Sequence, residues 1–158
     1  MPVRDQQSLD KLKDIFSQIP HCNALGMEIT DLTPGKAAVR LEYTQNIVAD
    51  PKTGQVHGGV ISTVMDTVAG MAAISAVSED TPVATLDLRI DYLARADSGK
   101  TIIGEAECYK LARNVAFVRG IAHHGDSDTP IAHVVAVFMM NATGFTTTGE
   151  DTPKGEPC

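Results

Sequence analysis

The chain has 158 residues, a net charge of −7 and 43 % apolar residues. That length builds one domain around one core, the apolar content excludes an intrinsically disordered chain, and the acidic balance excludes non-specific nucleic-acid binding, which needs clustered Lys and Arg. Trp is absent and aromatics make up only 4 %, so the core has to be assembled from Val, Ile, Leu, Ala and Met.

The N-terminus, MPVRDQQSLDKL, has no apolar run and predicts no secretory signal. Leu9, Leu12, Ile15, Phe16 and Ile19 then recur at helical spacing, with Ser8 as a candidate N-cap and Pro20 as the stop. Residues 25–32 and 37–43 read as strands, and Thr33-Pro34-Gly35-Lys36 between them as a hairpin turn. A loop comes next, over 44–56. Residues 60–77 form about five turns without a breaker, too long for a typical strand and apolar nearly all round, so a buried helix is predicted. Its small residues, Ala69, Gly70, Ala72, Ala73 and Ala76, predict a closely packed sheet.

That segment also raises the question of a membrane span. Asp66 and the absence of basic flanks argue against one, since a lone Asp at mid-bilayer costs about 3 kcal/mol. Beyond it the chain alternates. In Thr85 to Tyr92, Leu86, Leu88 and Ile90 are expected to face the helix, with Asp87, Arg89 and Asp91 opposite. Residues 102–109, 115–123 and 131–140 are further strands, joined by turns at 111–114 and 125–130. The tail 144–158 is polar and rich in Pro and Gly, and is expected to be disordered. One α+β domain over 1–143 results, an antiparallel sheet curved around a single helix. The last strand is apolar on both faces, which predicts a second subunit against the sheet. Cys22, Cys108 and Cys158 are scattered, odd in number and lack metal-ligand spacing, as in a cytoplasmic protein with reduced thiols. His123, His124 and His133 likewise form no metal pattern.

Chemistry is best sought around His57-Gly58-Gly59 and Asp66. Amides in the first turn of a helix have no intrahelical partner and sit at the positive end of the macrodipole. They can hold an oxyanion, or the two glycines can simply shape a loop. Asp66 is the sole charged side chain from Gly58 to Val77. It is either a general base or nucleophile or a structural acceptor of hydrogen bonds.

The His-Gly-Gly, six residues, Asp pattern, followed by small residues, by TLDLRIDYL and later by KLARNVAF, resembles the hotdog thioesterases of the phenylacetate-degradation (PaaI-like) type. The resemblance covers roughly 25–140. It implies hydrolysis of acyl-CoA thioesters without a metal or redox cofactor, CoA being part of the substrate, by a homodimer or a dimer of dimers. By the same likeness Gly58 contacts the thioester carbonyl and Asp66 is the base or nucleophile, across a subunit interface from the carbonyl-holding loop. His57 falls at the site edge and Thr85 where some relatives place a water-orienting hydroxyl. Lys110, Arg113 and Asn114 fall at a turn that touches the nucleotide, with Arg95 and Arg89 as further candidates for the phosphates. Asp50 stands where the family often has Asn, and a carboxylate cannot donate the hydrogen bond an amide gives unless it is protonated, so either Asp50 is neutral in the site, or Asn46 takes over, or the contact is absent. That departure keeps a non-catalytic acyl-CoA-binding module as the alternative. The paired His and acid of hotdog hydratases is not found.

Overall fold

The computed structural model describes residues 4–141. The tail 144–158 lies outside the described residues. Helix α1 runs Gln6–Ser17 and is capped by Asp5, whose carboxylate accepts from the Ser8 amide at 2.9 Å; the cap is Asp5 and not Ser8. Leu9, Leu12 and Phe16 are buried beneath it, while Ile15 points outward. Pro20 has two roles. It stops α1 and opens a second helix, α2 Pro20–Leu25, because a proline at the first helical position lacks only an N–H that would be unpaired there. Gly26 closes α2 at φ 73. The first strand therefore begins two residues later than expected.

Strands β1 Met27–Thr33 and β2 Lys36–Leu41 form the predicted hairpin, with Gly35 at φ 77. The expected loop over 44–56 is partly ordered. It holds a short 3-10 turn, Gln45–Ile47, and a small ribbon of β3 Val48–Asp50 with β4 Gln55–Val56. Helix α3 spans Gly58–Ser75, so both glycines lie in its first turn and not ahead of it. Four further strands follow among the described residues: β5 Val83–Tyr92, β6 Ile102–Leu111, β7 Val115–His123 and β8 Ala132–Met140.

Six strands form one antiparallel sheet in the order β1-β2-β6-β7-β8-β5. All six touch α3, so the sheet wraps the helix in the α+β hotdog arrangement. Val64, Met65, Val68, Ala69, Ala72 and Ala73 are fully buried. The helix has the length and hydropathy of a membrane span, but its apolar surface is spent inside this wrap. Helix and sheet approach each other closely at the sheet's Gly104, where a Cβ would come within 2.8 Å of Val64 Cγ1.

One facing prediction fails. Leu86 does not face the helix and is 55 % exposed. The β5–β8 register shifts between Thr85 and Asp87, a bulge that leaves Leu86 as the extra residue. Thr85, opposite the buried Phe138, takes the inward place, and Leu88 and Ile90 pack against the core as expected. Strand β5 is also the end of the sheet, with its outer edge open.

Candidate active site

The entry to α3 is organised by His57. As N-cap, its Nδ1 accepts from the Gly59 amide at 2.9 Å, and its carbonyl accepts from the Val60 amide at 2.9 Å. Among the described residues the Gly58 amide has no such acceptor. The helix thus presents one free donor at its positive end, on the residue without a side chain to obstruct it. His57 has a structural role here, turning the loop and occupying the neighbouring amides.

Tyr92, which no pattern in the sequence singled out, completes this corner. Its hydroxyl shares a 2.5 Å hydrogen bond with Ser62 Oγ and donates to the Gly58 carbonyl at 3.3 Å. Strand β5 thereby fixes the first turn of α3. Its position at the end of TLDLRIDYL was visible; the contact depends on tertiary packing.

Asp66 lies two turns further along α3. Thr85 Oγ1 donates to Asp66 Oδ1 at 3.2 Å, so the β5 bulge brings together two of the expected site residues. Both line a cavity of about 550 Å³ walled by α1, α2, α3, β5 and β8. Its other walls are mostly apolar, including Phe16, Cys22, Met71, Leu88 and Phe138. Burial pushes the Cys22 thiol pKa up, against a smaller opposing effect of Thr67.

Gly58 and Asp66 do not meet within one chain. Eight residues at 1.5 Å each place them about 12 Å apart along the helix, too far to bracket one carbonyl carbon. Asp50 does not join Asp66 either. Its Oδ1 accepts from the Lys52 amide at 2.9 Å and its Oδ2 from Thr53 Oγ1 at 3.1 Å. The carboxylate closes the 50–54 turn, a use that suits an acceptor-only group.

The basic residues separate. Arg95 shares a hollow of about 370 Å³ with Gly58, Ile61 and Tyr92. Lys110, Arg113 and Asn114 are exposed at the β6–β7 turn, and among the described residues Lys110 and Arg113 make no salt bridge. Arg89 is engaged with Asp91 at 3.1 Å on the outer face, away from Asp66.

The family model described as the thioesterase superfamily matches residues 53–131. Among curated proteins, a putative esterase of Halobacterium salinarum is 33 % identical over 96 residues, 58 % of this chain and 61 % of that protein. The medium/long-chain acyl-CoA thioesterase YigI of Escherichia coli is 26 % identical over 149 residues, 85 % of this chain and 95 % of that one. Among solved structures, a Pseudomonas aeruginosa protein is 40 % identical with a TM-score of 0.75, covering 84 % of this chain and 98 % of its own. A variant of the phenylacetic acid degradation protein PaaI of Thermus thermophilus shares the fold at 24 % identity and a TM-score of 0.67, over 77 % of this chain and 98 % of its own.

Proposed function

The chain belongs to the thioesterase superfamily, and from that membership we propose that it hydrolyses acyl-CoA thioesters to a free acid and CoA at a site shared by two copies. The observation that carries the reading is the Asp66 carboxylate, held by Thr85 at the wall of an apolar cavity. Thr85 occupies Oδ1 and leaves Oδ2 to take a proton from water. The water oxygen bonds to the thioester carbon, and the resulting oxyanion is held by a Gly58 amide. The carbon–sulfur bond then breaks, and the proton on Asp66 passes to the departing CoA sulfur. No step needs a metal or redox group.

The 12 Å gap within one helix supports drawing Gly58 and Asp66 of one site from different copies. The open edge of β5 suits that pairing. It is ten residues long, exposes Leu86 and Tyr92 among Asp87, Arg89 and Asp91, and its unpaired backbone groups are open to another strand. Arg95 beside Gly58, and Lys110, Arg113 and Asn114 at the β6–β7 turn, are the groups available to the phosphates of CoA.

The test is thiol release from acetyl-, decanoyl- and phenylacetyl-CoA. Turnover is expected, and Asp66→Asn should lower it by about 10²-fold or more with little change in melting temperature, because Asn still accepts from Thr85. Wild-type protein that binds acyl-CoA and releases no thiol would return the binding-module reading.

A further inference from the structure

We propose that Gly70 sets the length of the acyl chain this site accepts, admitting unbranched aliphatic groups of about ten carbons. The inference rests on the acyl-CoA reading above and adds the depth of the pocket to it. Asp66, Gly70 and Ile74 succeed one another at i, i+4 and i+8 and all line the same cavity. The cavity therefore runs along one face of α3, from Ser62 and Thr63 one turn before the reacting carboxylate to a point about 12 Å beyond it. Carbon–carbon bonds of about 1.52 Å at angles near 111° advance a chain by about 1.25 Å per carbon, so that length takes nine or ten carbons. An aryl group would fill little more than the first helical turn.

The lining supports an aliphatic occupant. Apart from Asp66, none of the lining residues is an Asp, Glu, Lys or Arg, and Phe16, Met71, Val83, Leu88 and Phe138 supply apolar surface. Two of the walls, Phe16 and Cys22, come from the N-terminal helices, outside the stretch 53–131 that the family model matches. Part of the pocket wall is thus built by segments beyond the matched core.

Gly70 stands one turn below Asp66, in the path of the chain. A Cβ there would meet only Phe138 Cε1, at 3.7 Å. Alanine fits at ordinary contact distance. The extra methyls of valine have to project past that contact into the cavity, closing it below the first turn. The absence of a side chain at 70 leaves the lower cavity open.

The experiment measures kcat/KM for acyl-CoAs from acetyl to palmitoyl with wild-type, Gly70→Ala, Gly70→Val and Ile74→Ala proteins. Binding of the non-hydrolysable thioethers S-butyl-CoA and S-decyl-CoA is measured by calorimetry alongside. Wild type should peak near decanoyl. Gly70→Val should lower decanoyl kcat/KM by about ten-fold or more while butyryl stays within about three-fold, since each buried methylene lost costs affinity. Ile74→Ala should move the peak to longer chains, which keeps the test decisive if Gly70→Val does not fold. An unchanged profile in the folded variants, or equal losses on butyryl and decanoyl, overturns the role of Gly70. If wild type releases no thiol, hydrolysis fails by itself. The thioethers then decide: a preference for S-decyl-CoA that Gly70→Val abolishes upholds the pocket, and no preference overturns it.

Discussion

Replacing Gly58 with proline removes one atom group, the amide N–H, and very little else. Gly58 is the first residue of α3, the position where a helix tolerates proline best. The residue before a proline must be extended, and His57 already is, at φ −67 and ψ 132. A Cβ at 58 meets only Tyr92 Cε1, at 3.9 Å. The bonds of His57 to Gly59 and Val60 and those of Ser62 and Tyr92 to the Gly58 carbonyl do not use the lost N–H. Stability should therefore hold or rise by about 0.4–1 kcal/mol, from the stiffer unfolded chain. Loss of one oxyanion donor should cost about 10²–10³-fold in kcat, or roughly 2.7–4 kcal/mol. Gly58→Ala is the control, keeping the N–H while adding the same Cβ, and should stay within a few-fold of wild type. The assay is steady-state thiol release, with urea unfolding alongside. Folded Gly58→Pro protein turning over at the wild-type rate would refute the assignment of this amide.

Gly104→Ala should destabilise by about 1–3 kcal/mol in urea, because its Cβ would crowd Val64, Val39 and Val68 at 2.8, 3.3 and 3.4 Å; adding Val64→Ala should recover part of the loss. Burial raises the folded pKa of Cys22 above its ordinary value of 9.0. Its contribution to stability is thus complete below that value and is lost as pH rises through the folded pKa, so unfolding midpoints should fall in the alkaline range and Cys22→Ala should reduce the fall. Arg95→Ala, Lys110→Ala or Arg113→Ala should weaken CoA binding by about 0.5–3 kcal/mol wherever the side chain contacts phosphate, leaving short non-CoA thioesters unaffected; equal losses on both substrates would dismiss that residue.

Periodicity makes most of the architecture readable. Strand β7 is located to the residue, and α3 emerges from its length and all-round apolar surface against the strand preference of its β-branched residues. The features that escape have particular causes. A bulge inserts one residue and reverses the alternation, so strict alternation puts Leu86 on the wrong face and denies Thr85 its inward position. Pro20 reads only as a stop, because a breaker residue ends one element without specifying the next. The β3–β4 ribbon is too short to show a pattern. Asp66, Gly58 and Thr85 stand out as candidates in the sequence because a lone carboxylate in an apolar helix and a Gly pair at its start are local features, and Thr85 lies in the strand stretch on which the family resemblance rests. Tyr92 is not, since its bonds to Ser62 and Gly58 join residues 30 and 34 apart in the chain. The turn role of Asp50 is within reach, Asp-Pro being a common turn start, but the family resemblance directs it to the thioester instead.

Mixed dimers distinguish a hydrolytic site divided between copies from one contained in a single chain. Gly58→Pro and Asp66→Asn proteins, each inactive alone, are unfolded together and refolded. In a two-fold dimer each mixed pair carries one doubly damaged site and one site built from an intact Gly58 and an intact Asp66. Half of the dimers are mixed, so thiol release should return to about one quarter of the wild-type level. Mixed protein as inactive as its two parents would contradict the shared site.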